Sequence, residues 1–192
     1  MSEYRALDSG SVFLVYSSLL VLSVLGDWFY GGSIIASWTA AQALPTGAIL
    51  AASIFVLVYM ATATLLSSLF AWGAEMERIF QTMLTPLSYF QILVLSLLSG
   101  FIEEWFFRGV LLSYFGLIVS SVVFGLAHLI PARRVWRWSI WSFGAGLVLG
   151  WMQLKFQNLW LTALTHSAIN FLLLLKLNLS AHRFVTRARM RR

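Results

Sequence analysis

The stretch Phe101-Ile102-Glu103-Glu104-Trp105-Phe106-Phe107-Arg108-Gly109 sets three ionisable side chains inside a run that is otherwise apolar from 87 to 115. Apolar runs of about 20 residues are long enough to cross a hydrocarbon layer as helices, and this chain has several. Of its 192 residues, 60% are hydrophobic and 10% are charged; a soluble domain is nearer about one-half and one-quarter. The sequence therefore reads as an all-α, polytopic membrane bundle. A charge at membrane depth costs from about 2.5 to more than 10 kcal/mol, so three together mark a functional site.

Apolar stretches fall at 11–30, 46–72, 87–115, 117–130, 139–156 and 158–178, which predicts about six transmembrane helices. Residues 31–45 are weakly apolar and short, a re-entrant or interfacial piece that leaves a seventh span open. The first stretch reads as a retained span rather than a signal peptide, because Glu3, Arg5 and Asp8 do not form a positive leader. The organisation expected is one transmembrane domain over 1–180, a catalytic core at 87–178, and a basic cytoplasmic tail at 181–192.

Six spans with a cytoplasmic N-terminus put Arg78, Arg133, Arg134, Arg137 and the tail arginines Arg183, Arg187, Arg189, Arg191 and Arg192 on the cytoplasmic side, with Lys155 opposite. That asymmetry follows the positive-inside rule and places both termini in the cytoplasm. Trp28, Tyr30, Trp72, Trp136, Trp138 and Trp141 sit near predicted span ends, as aromatic belts require. Asp27, near an outer end, reads as a solvated carboxylate. The net charge of +6 is met by an anionic leaflet, so the partner is the lipid bilayer and not nucleic acid. The absence of cysteine excludes disulfides, thiolate catalysis and Cys-based zinc sites.

Residues four apart share a helix face, so Arg108 can pair with Glu104 and lower the cost of burying both. Glu103 is turned about 100° away and has no neighbouring cation in sequence. Such a split environment separates two carboxyl pKa values, making Glu103 the candidate base and Glu104 the orienting group. The same spacing sets Phe124 beside His128 and His166 beside Asn170. With a turn at Gly116, Glu103 and His128 both lie roughly 18–20 Å from it. Moving the turn to Ser113 would offset them by about five residues, so equal depth is permitted rather than required.

Each residue alone has a structural reading, as an interhelical hydrogen bond or a packing ion pair. Two carboxylates, an arginine, two histidines and an asparagine in three spans favour chemistry. Glu103, His128 and His166 are the three ligands a divalent metal would take, with an open fourth position. The HExxH spacing of helical zinc proteases is absent, so a metal-free site with no required cofactor is the favoured reading.

The pattern Glu103-Glu104-x-x-x-Arg108, Phe124-x-x-x-His128 and His166-x-x-x-Asn170 resembles the three motifs of the CPBP family, the CAAX-processing and bacteriocin-processing intramembrane endopeptidases. The likeness covers residues 87–178; the first two spans match only in being hydrophobic. It implies a protease that uses Glu103 and His128 to activate water, His166 and Asn170 to hold an oxyanion, and Arg108 to hold Glu104. The substrate implied is a membrane-anchored protein or peptide cut near its terminus. The compact length suits a bacterial or archaeal plasma-membrane member better than a eukaryotic one. The rival reading is a catalytically silent relative that binds a peptide or confers bacteriocin immunity. A proton-coupled transporter would show internal repeats or paired broken helices, and none is visible. A bis-histidine haem protein would be coloured.

Overall fold

The computed structural model describes residues 8–29, 31–32, 44–84, 86–129 and 136–190. Among these the secondary structure is entirely helical, with no strand. Helix α1 spans Ser9–Phe29, α2 Thr46–Leu69, α3 Ala71–Leu84, α4 Tyr89–Leu98, α5 Leu112–Ala127, α6 Trp136–Phe156 and α7 Leu159–Met190. Between α4 and α5 the chain continues as two π-helical stretches, Ser99–Glu103 and Trp105–Leu111. Among the described residues, four helical stretches are long and apolar enough to cross a membrane: Gly10–Phe29, Thr46–Leu69, Tyr89–Ala127 and Leu159–Ala181.

Helix starts follow local chemistry. The Asp8 carboxylate accepts from the Ser11 backbone N–H at 2.9 Å and its hydroxyl at 2.7 Å, capping α1. Those bonds hold its carboxyl below the usual range, the hydroxyl bond foremost. Ser88 and Gln91 form a reciprocal capping box at the start of α4. At Phe70 the backbone turns extended, with φ −120° and ψ 129°. Gly73 then lets α3 leave directly beneath α2, because a Cβ there would collide with the Leu66 carbonyl. Helix α3, at 14 residues, is too short to span and strongly two-sided, so it lies against the bundle.

The third membrane-length stretch is not one rod. Gly116 has φ 77° and ψ 177°, a conformation open to glycine, and the chain folds back there. Ser120 Oγ donates to the Phe107 carbonyl at 2.8 Å, and Phe124 packs edge-on to Phe107 at 4.9 Å between ring centroids. In a straight helix, residues that far apart would be separated by about 20 Å or more. The arm from 117 to His128 therefore runs antiparallel to the arm that carries the glutamates, and the Gly116 turn expected from the sequence is present.

Outward faces are apolar: Phe13 and Leu14 on α1, Leu57 and Leu69 on α2, and Phe90 on α4 are all exposed. The interior holds many polar side chains, among them Ser96, Ser99, Glu103, Glu104, Arg108, Ser120, Thr162, His166 and Asn178. Such an inside-out distribution suits a bundle whose solvent is lipid. Asp27 corrects the sequence reading: it is buried, at 1% exposure, rather than solvated. Beside it Gly26 leaves room for Val110, and Tyr114 donates its hydroxyl to the Gly26 carbonyl at 3.3 Å. This part of α1 is thus pressed against the glutamate-bearing segment. Helix α7 runs on past Ser180 to Met190. Most of the weakly apolar piece 31–45, with its possible seventh span, lies outside the described residues, as do Arg133, Arg134, Arg191 and Arg192.

Candidate active site

The six residues singled out from the sequence fall into two groups by their contacts. Behind the site wall, Arg108 Nη1 donates to Glu104 Oε1 at 2.6 Å, and His166 Nδ1 lies 2.9 Å from the same oxygen. Both members of the ion pair are almost fully buried, at 2% and 0% exposure. Arg108 Nη2 reaches the Gly146 carbonyl at 3.4 Å, and its guanidinium stacks 4.3 Å from the centre of the Phe124 ring. Phe124 also contacts the rings of His128, at 4.5 Å, and His166, at 5.7 Å. One aromatic ring thus separates and braces both groups.

The second group faces a cavity of about 390 Å³ whose lining includes Tyr16, Ser99, Glu103, His128 and Asn170. Tyr16, from α1, donates its hydroxyl to Glu103 Oε1 at 3.2 Å. The other oxygen, Oε2, is buried with no hydrogen-bond partner among the described protein groups and lies 3.8 Å from His128 Nε2. His128 Nδ1 sits 2.8 Å from the Phe124 carbonyl. A carbonyl only accepts, so Nδ1 carries the proton, and in its neutral form His128 turns a lone pair at Nε2 toward Glu103. A gap of this length between two acceptors is the place for a bridging water rather than a direct bond.

Local sequence explains the placement. The π-helical turn is wider than an α-turn, and such insertions recur at functional sites. It re-aims Glu103 and Glu104 relative to the α-helical spacing expected from the sequence while preserving the four-residue pair of Glu104 with Arg108. Gly100 makes the close approach of α7 possible, because a Cβ there would strike Ser167 Oγ and the Ala163 carbonyl. That contact brings Asn170 Nδ2 to within 2.7 Å of Ser99 Oγ.

His166 and Asn170, although one turn apart, do not act on one point: Asn170 lines the cavity and His166 is held at Glu104. For His166 to donate through Nε2, the buried trio with Glu104 and Arg108 must take up one further proton, because Nδ1–H is already committed. Asn170 needs no proton and keeps a second amide N–H. The three residues considered as metal ligands likewise do not converge. Among the described residues no cluster of three or more His, Asp or Glu side chains has the arrangement to hold an ion; His166 is turned to Glu104 while Glu103 and His128 face the cavity.

Sequence reasoning missed five polar residues of the cavity: Tyr16, Ser67, Glu77, Ser99 and Lys176. Lys176 Nζ pairs with Glu77 Oε2 at 2.7 Å and donates to Ser67 Oγ at 3.0 Å, tying α7 to α3 across the cavity. A lysine inside the apolar run 158–178 was the available signal. Tyr16 gave none, since a tyrosine in a first span reads equally well as lipid-facing.

Residues 85–172 match the family model of the Rce1-like type II CAAX prenyl endopeptidases. No curated protein and no solved structure matches the chain. The matched segment contains Glu103, Glu104, Arg108, His128, His166 and Asn170, while α1 with Tyr16 lies outside it. Residues 85–172, with their membrane-length apolar helices, thus form a domain of the Rce1-like family of CAAX-type intramembrane proteases, within the CPBP group.

Proposed function

We propose that this protein is an intramembrane endopeptidase that hydrolyses a membrane-anchored protein or peptide near its terminus. The observation that carries this reading is the pairing of Glu103 Oε2 with His128 Nε2, 3.8 Å apart, at the wall of a largely apolar cavity. A water seated between them donates a hydrogen bond to each. As its oxygen attacks the scissile carbonyl carbon, its proton passes to Glu103, and that proton is later delivered to the leaving amine nitrogen. Asn170 supplies an amide donor for the developing oxyanion, while His166 stays on Glu104 and helps to hold it in place. Glu104 and Arg108 hold the helix face that aims Glu103. The apolar lining suits a substrate that arrives from the bilayer. The test is incubation of purified protein with a panel of membrane-anchored peptides, comparing wild type with Glu103→Gln.

Tyr16 belongs to this machinery as a positioning residue. Tyr16→Phe removes only the hydroxyl and leaves Glu103 Oε1 without its donor. A hydrogen bond to a charged group contributes about 1.5–3 kcal/mol, so turnover should fall by about 10-fold or more. KM should hold; a KM change with constant turnover would make Tyr16 a binding residue instead.

The reaction is read as metal-free because His166 is committed to Glu104 and leaves only two of the three candidate ligands, Glu103 and His128, facing the cavity. EDTA should therefore leave most activity intact. Loss of activity restored by one stoichiometric metal would reassign Glu103 and His128 as ligands.

The chain crosses the membrane six times in this reading, with the arms on either side of Gly116 and helix α6 completing the set. Both termini face the cytoplasm of a bacterial or archaeal cell. A topology reporter fused after Arg192 should be cytoplasmic, and one near Gly31 should lie on the opposite side. An extracytoplasmic C-terminus would reverse the orientation.

A further inference from the structure

A second cavity, of about 430 Å³, lies between α2 and α6 and shares Trp72, Arg137 and Trp141 with the lining of the first. Its volume falls within the range of about 300–1,000 Å³ usual for small-molecule sites. Phe55, Val58, Ile140 and Val148 give it an apolar lining, and Val58 and Ile140 are more than half exposed on the lipid-facing side. Arg137 is the one charged residue in that lining. Its guanidinium lies 5.4 Å from the centre of the Trp72 ring and 5.0 Å from that of Trp136.

Arg137 differs from the other cations near the cavities. Arg108 has Glu104 and Lys176 has Glu77, whereas Arg137 has no acidic partner among the described residues. It sits in the first turn of α6, where the helix dipole adds to its attraction for an anion, and among tryptophans of the kind that mark a headgroup level. An occupant matched to this site has a long apolar part and one anionic end. A free inorganic anion leaves the groove unfilled, and a neutral isoprenoid leaves the guanidinium uncompensated.

We propose that this groove binds an anionic phospholipid, with an acyl chain between α2 and α6 and the phosphate on Arg137. Because Trp72, Arg137 and Trp141 also line the site cavity, the headgroup would rest against the wall of that cavity. The proposal does not depend on the peptidase reading, since its readout is lipid binding alone.

The test is native mass spectrometry of the full chain in nonionic detergent, given an equimolar mixture of phosphatidylglycerol and phosphatidylcholine with identical acyl chains. Wild type should favour phosphatidylglycerol about fivefold, roughly what one basic residue contributes at an anionic headgroup. Arg137→Gln should bind the two lipids equally, and Arg137→Lys should keep the preference. Gly144 lines the groove, and a Cβ built there meets nothing within 4 Å. Gly144→Leu should therefore fold and weaken binding of both lipids. Equal binding by wild type, a preference that survives Arg137→Gln, or unchanged binding by Gly144→Leu would each overturn the proposal. Displacement of phosphatidylglycerol by a neutral farnesyl thioether, equally well from wild type and Arg137→Gln, would do the same.

Discussion

Glu103→Gln is expected to lower turnover by at least ~100-fold, the lower end for loss of a general base, while leaving peptide affinity, expression and detergent stability nearly unchanged. Glutamine keeps the size of the side chain and still accepts from Tyr16 at its carbonyl oxygen. What it loses is the ability to take a proton from water at the position facing His128 Nε2, 3.8 Å away. Stability should hold because Glu103 is not part of the Arg108 ion pair, and its partner group is a neutral phenol. The measurement is single-turnover cleavage of a membrane-anchored peptide, with affinity read separately by a labelled non-cleaved analogue. Full activity in the glutamine variant would leave the cavity as a peptide-binding site, and the immunity or binding-protein reading would replace the peptidase.

The pairing of Arg108 with Glu104 rather than Glu103 was legible from the sequence, for a simple reason. Side chains four apart on a helix must meet, so Arg108 selects Glu104 and releases Glu103. The hairpin was legible too, since Gly116 lies midway between Glu103 and His128 and has the φ that such a turn needs. What periodicity cannot carry is contact between distant helices. The tyrosine that holds Glu103 comes from α1, 87 residues away, and the partner of Asn170 is Ser99, 71 residues away. The commitment of His166 to Glu104 spans 62 residues, and it separated two side chains that the four-residue rule had placed together. Burial of Asp27 was misread because an acid near a span end is usually wet, and sequence gives no sign that Val110 and Tyr114 press on the neighbouring Gly26. The π-helical winding also left no mark in the pattern of apolar residues, because apart from Glu103, Glu104 and Arg108 the stretch is almost uniformly apolar.

Arg108→Ala should be the most destabilising single change near the site. It strips the guanidinium from a carboxylate with 0% exposure and removes the stacking on Phe124. Breaking a buried pair in this way costs about 3–5 kcal/mol, which for a chain of this length is a fall in melting temperature on the order of 10 °C. His166 does not replace the arginine without taking up a proton, since as a neutral ring it brings one N–H and no charge. The double variant Arg108→Ala with Glu104→Gln carries the decisive comparison. If the cost is electrostatic, deleting the second charge should return most of the melting temperature, because a buried pair removed as a unit is often close to neutral. If the double variant is no more stable than Arg108→Ala, the arginine acts chiefly through its bulk against Phe124 and its bond to the Gly146 carbonyl. Glu104 would then be free to serve the reaction rather than the fold.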